Sequence, residues 1–283
     1  MKMKVERFDQ LKVFYDKISS YLVESEDINS LFFGTLLALV KKEPKDKPFM
    51  CVVKSESQIL LSALFFRMNL ILSHGDEMAI PFVVEELIKG NFQIPGVIGP
   101  LTLAETFKDH WLKKTKCTFR LGMRQKIYKL TRVNPAEKVA GYMRNIEEKD
   151  VPLVSEWAQA FHKDAKLPEA PNTLEVEVKN AEQRVKDQKT FFWIVDGVPV
   201  CMAALARPTP NGITVNAVFT PKEHRCKGYA RALVTKVSQL SLDQGKKFCV
   251  LYTDVGNPTS NSIYQKVGYE EVSESINYRF DYV

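Results

Sequence analysis

Residues 212–231 read GITVNAVFTPKEHRCKGYAR, and this stretch decides the fold. The β-branched and apolar residues over 212–220 predict a strand. Pro221 ends that strand, and a basic turn then leads to Gly228. Beyond the glycine, apolar residues recur at helical spacing, at Ala230, Leu233, Val234, Val237 and Leu240. The stretch therefore predicts a strand, a turn and a helix whose apolar face packs on a sheet.

The turn before the helix has the composition of an anion site. Backbone N–H groups at a helix N-terminus are free to bind an anion, and the helix dipole favours negative charge there. Gly228 has no side chain, so an anion can approach the main chain closely. Arg225, Lys227 and Arg231 add positive charge. A solvated basic turn without a ligand is the alternative, and the turn alone does not decide between the two.

Two motifs give the sequence a family resemblance. Arg-Cys-Lys-Gly-Tyr-Ala (225–230) resembles the R/Q-x-x-G-x-G/A motif of the GNAT superfamily of N-acetyltransferases. The stretch 257–269, NPTSNSIYQKVGY, is similar to the superfamily's second motif, N-x-x-A-x-x-x-Y-x-x-x-G-F/Y. In that stretch Ser260 stands at the small position, and four residues match: Asn257, Tyr264, Gly268 and Tyr269. The resemblance covers about residues 134–283 and is closest to bacterial two-domain members.

The resemblance implies an α/β (α+β) fold of tandem GNAT-like domains, each a mixed, mostly antiparallel twisted sheet flanked by helices. The order of predicted elements starts again after Asn134-Pro135, where proline disfavours helix at the preceding residue. We therefore expect a degenerate domain without a cofactor over 1–133 and a catalytic domain over 134–283. In the first half the corresponding turn, 73–81, reads SHGDEMAIP and is acidic. The pattern also predicts a helix from about Val5 and a closing hairpin over 269–283.

The resemblance also implies the acyl donor and the residues that hold it. Acetyl-CoA would contact the strand and the turn through Val218, Phe219, Thr220, Arg225, Cys226, Lys227, Gly228, Tyr229, Ala230 and Arg231. Asn257 would touch the pantetheine arm, although Asn257-Pro258 is also a good N-cap followed by proline at the first helical position. Tyr264 would protonate the coenzyme A thiolate, and a core tyrosine is its alternative interpretation.

The general base has no clear candidate in the sequence. The strand over 212–220 has no carboxylate, and Asn216 lies in its middle. Glu175, Glu177 and Asp254 are candidates, and each also fits a surface or capping position. We expect the aromatic residues Phe191, Phe192 and Trp193 to be core, and His162 and His224 to be solvated.

Composition excludes several classes of function. The net charge of +6 is spread along the 283 residues rather than gathered in a run, so no nucleic-acid partner is expected. The five cysteines form no C-x-x-C and have no histidine at metal-ligand spacing, which predicts no metal site. Reduced cysteines favour the cytoplasm. The N-terminus has no signal-peptide core, and the longest apolar run, 31–40, is too short to span a bilayer, so no membrane partner is expected.

The sequence therefore predicts an acetyl-CoA-dependent N-acyltransferase, in which the primary amine of a small molecule or peptide attacks the thioester of acetyl-CoA directly. Two alternatives stay open. One is a tandem-domain transferase that takes an aminoacyl group from charged tRNA. The other is a non-catalytic module that binds acyl-CoA and regulates a partner.

Overall fold

A computed structural model of the chain describes residues 3–135, 138–165 and 172–282. The chain divides into two compact units. Unit 1 comprises Met1–Ile127 together with Val272–Val283, and unit 2 comprises Tyr128–Glu271. None of the helices in the described ranges is both long and apolar enough to cross a membrane.

Unit 1 is a sheet with helices packed against it. Its strands are β1 (Met3–Arg7), β2 (Phe49–Ser55), β3 (Gln58–Phe65), β4 (Leu70–Leu72), β5 (Gly96–Pro100), most of β6 (Cys117–Leu130) and most of β12 (Glu270–Tyr282). Its helices are α1 (Leu11–Glu24), α2 (Ser30–Lys41), α3 (Ile80–Lys89) and α4 (Leu101–Lys114). The strands lie in the order β1-β2-β3-β4-β5-β12-β6. Neighbours from β1 to β4 are antiparallel, β4 and β5 are parallel, and β5 and β12 are antiparallel.

Unit 2 has the same plan. Its strands are β7 (Tyr142–Asn145), β8 (Thr190–Val195), β9 (Val198–Ala206), β10 (Gly212–Phe219) and β11 (Phe248–Asp254), with the last residues of β6 beside β11. Its helices are α5 (Val151–Asp164), α6 (Leu174–Asp187), α7 (Tyr229–Asp243) and α8 (Pro258–Val267). The strands from β7 to β10 pair antiparallel, and β10 and β11 pair parallel. The predicted α/β fold with a repeated order of elements is confirmed.

The last strand of the chain differs from the prediction in both form and place. The tail forms one strand, β12, and not a closing hairpin. No glycine or proline interrupts residues 270–282, so nothing favours a turn there. From Ser275 to Arg279 this strand pairs with β5 of unit 1, and three alternate residues are buried in the core of that unit: Ile276, Tyr278 and Phe280.

The boundaries of the units therefore differ from those predicted at 133/134. Unit 1 takes residues 272–283, and unit 2 begins at Tyr128. Tyr128 and Leu130, at the end of β6, are fully buried in the core of unit 2. A domain boundary placed at Asn134-Pro135 assigns residues 128–133 and 272–283 to the wrong unit, because the residues that these segments pack against are distant in the sequence. That unit 2 is catalytic and unit 1 is not stays a prediction.

The start of the chain also corrects the sequence analysis. Residues Met3–Arg7 form a strand that pairs with β2, whereas a helix was predicted from about Val5. Helix α1 begins at Leu11. The apolar Met3 and Val5 alternate along β1 and pack against the core, which is strand periodicity in a segment too short to show it clearly.

We expect Phe280→Ala to lower the free energy of unfolding of unit 1 by about 3–5 kcal/mol, because the change leaves a cavity in a packed core. Phe280 is 5% exposed, and its ring lies 6.3 Å from that of Trp111. Urea denaturation followed by tryptophan fluorescence measures the change. As a control on the same strand, Val272→Ala removes a side chain that is 37% exposed and should change stability by about 0.5 kcal/mol or less. Equal effects of the two changes would contradict the placement of β12.

Candidate functional site

The parallel strands β10 and β11 separate from one another in unit 2. Their backbone ladder is recorded for three pairs in the described chain, from Gly212 opposite Phe248 to Thr214 opposite Val250. Both strands continue beyond that point, β10 to Phe219 and β11 to Asp254. Beyond Thr214 the facing edges of two neighbouring strands therefore have backbone groups that do not pair with each other, and an extended ligand can use them.

A bulge in β10 lies at the same place. Pairing with β9 is regular up to Asn216 opposite Ala204 and then jumps to Phe219 opposite Met202. Within the bulge Ala217 has a positive φ of 49°, and its N–H donates to Oδ1 of Asn216 at 2.7 Å. Asn216, which the sequence analysis noted where a carboxylate was sought, thus stabilises the bulge. Bulges of this kind redirect backbone groups and side chains beside functional sites.

The predicted contact residues at the end of β10 have different environments. Val218 lies between the paired positions and is half-buried. The side chain of Phe219 is buried in the core, with its ring 5.7 Å from that of Trp157, so only its backbone can serve a ligand. Thr220 donates from Oγ1 to the thiol of Cys201 at 3.2 Å.

The turn from Arg225 to Ala230 has the geometry of an anion-binding nest. Cys226 and Gly228 have positive φ values of 62° and 81°, and helix α7 begins at Tyr229. When residues with positive φ alternate with residues of negative φ, successive backbone N–H groups point to the same side of the chain. No acceptor within the described residues is recorded for the N–H groups of residues 226–228, and the first N–H groups of a helix have none within it. The five residues from Cys226 to Ala230 therefore present unpaired donors.

The cations of the turn are not equivalent. Arg225 donates from Nε to the carbonyl oxygen of Thr220 at 2.9 Å and forms an ion pair with Asp164. Its guanidinium therefore fixes the turn to the end of β10 and is already balanced by a carboxylate. Lys227 is exposed, and Arg231 has a buried Nε without a hydrogen-bond partner in the described chain. Among the described residues, no carboxylate forms an ion pair with either of these two cations.

Most backbone donors of the corresponding turn of unit 1 have acceptors within the protein. The N–H of Ser73 bonds to the carbonyl of Ser62, that of His74 to the side chain of Asn29, and that of Asp76 to the carbonyl of Leu60. The carboxylate of Asp76 accepts from the N–H of Met78 at 2.8 Å. Protein acceptors thus take up most of the donors of this turn, and the turn carries acidic rather than basic side chains. That unit 1 holds no cofactor stays a prediction.

Helix α8 places the second motif. Oδ1 of Asn257 accepts from the N–H of Ser260 at 3.0 Å, Pro258 occupies the first turn, and Gly268 ends the helix with a φ of 115°. Asn257 is therefore an N-cap, one of its two predicted roles. Gly268 is required, because an added Cβ would lie 2.8 Å from the carbonyl oxygen of Arg132.

Tyr264 lies on the inner face of α8 and is buried. Its ring is 6.1 Å from that of Tyr269, which in turn shares a hydrogen bond of 2.8 Å with Ser238. Burial, with a smaller contribution from the nearby Cys201 thiol, raises the pKa of Tyr264 well above its ordinary value. The phenol therefore stays protonated at neutral pH.

Sequence reasoning treated Cys201 as structural, yet the structure brings it to this site. Cys201 is fully buried on β9, accepts the hydroxyl of Thr220 and influences Tyr264 electrostatically. Burial raises the pKa of its thiol to about 12. A thiol so strongly held in its neutral form is a packing and hydrogen-bonding group rather than a nucleophile. The contact joins β9 to β10 and could not be read from the sequence.

The other predicted candidates do not meet at one point. Glu175 is exposed and pairs with Lys179, and the carboxylate of Asp254 accepts from the N–H of Gly256. Glu177 is buried and accepts from the side chains of Asn172 and Asn180. None of these three carboxylates forms a recorded contact with Tyr264 in the described chain.

The aromatic residues are core, as expected. Phe191, Phe192 and Trp193 are all buried. The two histidines, His162 and His224, are half-buried. No cluster of three His, Cys, Asp or Glu side chains suited to a metal ion occurs among the described residues.

Comparisons with known proteins bear directly on unit 2. Residues 152–269 match the model of the acetyltransferase (GNAT) family. The match spans 118 of the 283 residues, all of them within unit 2. No curated protein matches the chain.

Solved structures give the same fold over nearly the whole chain. A GCN5-related N-acetyltransferase from Sphaerobacter thermophilus has a TM-score of 0.64 at 13% identity, covering 98% of this chain and 95% of its own. A tandem GNAT protein from the clavulanic acid biosynthesis pathway has a TM-score of 0.59 at 8% identity, covering 98% of both chains. A GNAT-family acetyltransferase from Colwellia psychrerythraea has a TM-score of 0.58 at 10% identity, covering 99% of this chain and 100% of its own. At such identities the likeness concerns the fold alone, and it supports a tandem GNAT architecture.

The cysteine thiols of the chain offer a direct probe of the turn 225–231. Cys226 is exposed within it, while Cys117 of unit 1 is half-buried and lies outside it. We expect acetyl-CoA to slow alkylation of Cys226 by iodoacetamide several-fold and to leave Cys117 unaffected, as measured by peptide mass spectrometry. Cys51, Cys201 and Cys249 should resist alkylation, because burial raises the pKa of each thiol. Protection of Cys117 instead of Cys226 would contradict the site.

Proposed function

We propose that the protein is an N-acetyltransferase that takes an acetyl group from acetyl-CoA and transfers it to a primary amine of a small molecule or peptide. The donor binds once per chain, in unit 2, along the separated edges of β10 and β11 and in the turn 225–231. The observation that carries the proposal is the run of unpaired N–H donors from Cys226 to Ala230 at the start of α7. Reduced, free cysteines further support a cytoplasmic protein.

The turn fits a pyrophosphate on three grounds. Its donors converge at a helix N-terminus, where the dipole favours an anion. Lys227 and Arg231 add positive charge, and neither forms an ion pair with a carboxylate in the part of the chain that the structure describes. Gly228 has a positive φ of 81°, which favours glycine, and the absence of a side chain lets an anion approach the main chain closely.

The residues around Tyr264 fit acyl transfer. Acetyl-CoA supplies a thioester carbonyl that an amine can attack, and its sulfur leaves as a thiolate. Backbone groups of Val218 and Thr220, released from regular pairing by the bulge, can orient that carbonyl. The phenol of Tyr264 holds the proton that the departing sulfur needs.

The raised pKa of Tyr264 fixes the direction of its pH dependence. A group that acts in its protonated form loses activity as the pH rises through its pKa. Burial raises the pKa of Tyr264, so this loss moves to higher pH. We therefore expect that ionisation of Tyr264 causes no loss of activity near neutral pH. Because so buried a phenol is a weak acid, its first role is to donate a hydrogen bond to sulfur as negative charge develops.

Gly228→Glu tests the donor site against a matched control. Gly228 and Gly245 flank the two ends of α7, both are exposed, and both have positive φ values, 81° and 91°. We expect Gly228→Glu to weaken acetyl-CoA binding by about 100-fold or more, because it places bulk and negative charge where the pyrophosphate lies. Gly245→Glu carries the same backbone strain in open space and should bind normally. Calorimetry that gave equal losses for both, or two equivalent sites per chain, would contradict the proposal.

Tyr264→Phe tests the proton donor. The change keeps the ring and its packing, so folding should be nearly unaffected. We expect kcat to fall about 10²- to 10⁴-fold, with little change in acetyl-CoA affinity. Release of coenzyme A with an amine panel measures the rate. A near-normal kcat would show that another group supplies the proton, whereas loss of binding would place the hydroxyl in donor recognition.

The same measurements separate the two alternatives. A transferase that uses charged tRNA would not bind acetyl-CoA, and Gly228→Glu would then change nothing in the calorimetry. A regulatory module would bind acetyl-CoA and release no coenzyme A with any amine.

A further inference from the structure

Arg207, directly after β9, is a cation for which the described chain provides no anion. No carboxylate lies within ion-pair distance of it, and its buried Nε has no hydrogen-bond partner in residues that the structure describes. Its guanidinium lies over the ring of Tyr252, 5.6 Å from the centroid. Burial lowers the pKa of Arg207, but an arginine keeps its charge in proteins. The Arg207 side chain is half-buried, and its Nε is the atom that is out of contact with solvent and unpartnered in the described chain. A partly buried cation without a counter-charge costs free energy, which is the reason to look for a ligand.

The contact of Arg207 with Tyr252 places its guanidinium on one face of the sheet, and the register of three strands shows which residues share that face. Ala206 lies opposite Thr214, and Thr214 lies opposite Val250 in the last pair before β10 and β11 separate. Paired residues point to the same face of a sheet, and so do residues two apart along a strand. Thr214, Val250 and Tyr252 therefore share one face. Cys249 and Leu251 point to the opposite face, where they join the core cluster that contains Tyr264.

The hydroxyl of Thr214 is a second unpartnered group at the same level of the sheet. Thr214 is 1% exposed, and its Oγ1 has no hydrogen-bond partner in the described chain. A buried hydroxyl normally finds one, because leaving it unpaired is costly. The missing partner of this hydroxyl is an observation independent of Arg207, which follows directly after Ala206, the residue paired with Thr214.

We propose that Arg207, supported by Thr214 and Tyr252, binds a carboxylate on the amine acceptor. The inference rests on the proposed acetyl transfer and names the substrate class: primary amines that also carry a carboxylate, such as amino acids. The guanidinium on the ring of Tyr252 leaves its edge N–H groups to form the planar, two-bond contact that suits a carboxylate. Arg207 carries one positive charge and the hydroxyl of Thr214 is neutral, so together they balance the single negative charge of a carboxylate. They would neutralise only half of the charge of a doubly charged phosphate.

The location suits an acceptor. The carboxylate would be held at the closed end of the separated strands, on the face opposite that of Tyr264. The amine would then point toward the gap between the strands, where the proposal places the thioester. Binding through a remote carboxylate that does not react lowers KM for such amines more than it raises kcat.

A panel of matched acceptors tests the proposal on the full chain. The panel contains L-amino acids and the amines that lack only their carboxylate, for example L-phenylalanine with phenethylamine and L-leucine with 3-methylbutylamine. We expect the amino acids to be acetylated on their amines in preference to the matched amines that lack a carboxylate. Arg207→Gln should raise KM about 10- to 100-fold for them alone and leave acetyl-CoA affinity unchanged. A wild-type enzyme that uses both members of each pair equally, or an Arg207→Gln variant with an unchanged KM, would overturn the proposal.

Two further variants separate binding from structure. Thr214→Val removes the unpaired hydroxyl and keeps the shape, so it should raise the KM for carboxylates while the melting temperature stays the same or rises. It decides the question if Arg207→Gln does not fold. Arg184→Gln, on α6, is the matched control, because Arg184 also has a buried unpartnered nitrogen but lies on a helix that packs against β8. An equal effect of this control on KM would overturn the assignment.

Failure of acetyl transfer itself remains distinguishable. If acetyl-CoA binds and no amine releases coenzyme A, the proposed function is wrong, and the carboxylate site is then tested by binding alone. N-acetyl-L-phenylalanine, titrated by NMR, should bind to the wild type and not to Arg207→Gln. N-acetylphenethylamine should bind to neither. Equal binding of both compounds to the wild type would overturn the carboxylate site.

Discussion

The early end of the ladder between β10 and β11 is the constraint on which the site in unit 2 depends. Two neighbouring parallel strands normally pair along their length, and here they do so for three pairs. Gly212 holds the closed end tight, because an added Cβ there would lie 2.3 Å from the ring of Phe248. The bulge at Ala217 then redirects β10 just beyond Thr214. A close contact at one end and a bulge beyond it therefore keep the strands apart within an otherwise regular sheet.

The two units show how one geometry gives either a structural turn or a ligand site. In both, a strand that is followed by a turn and a helix pairs in parallel with the next strand. In unit 1 the side chains of Asn29 and Asp76 and nearby carbonyls take up the donors of the turn. In unit 2 positive φ values at Cys226 and Gly228 leave the donors open to solvent, where water can satisfy them at little cost. The two turns thus differ in a few hydrogen-bond acceptors and in the residues with positive φ, and not in the order of strands and helices.

Local features of the chain could be predicted from the sequence. The strand–turn–helix around Gly228, the N-cap at Asn257 and the glycine that ends α8 each depend on residues within a few positions of one another. The features that were missed depend on distant partners. The pairing of β12 with β5 joins residues about 180 positions apart, and the contact of Thr220 with Cys201 crosses two strands. Arg207 was missed for the same reason, since only the structure shows that its guanidinium lies over Tyr252 and that its neighbour Ala206 pairs with Thr214.

The exchange of strands between the repeats ties each unit to a distant part of the chain. Unit 1 needs Ile276, Tyr278 and Phe280 for its core, and these are among the last residues of the chain. The core of unit 2 contains Tyr128 and Leu130, which follow directly from a strand of unit 1. The first unit therefore cannot complete its core until the second has been synthesised, although domains commonly fold from the N-terminus as units. Loop closure over so long a segment costs entropy before the contacts of β12 repay it, so this strand is the last part of unit 1 that can form.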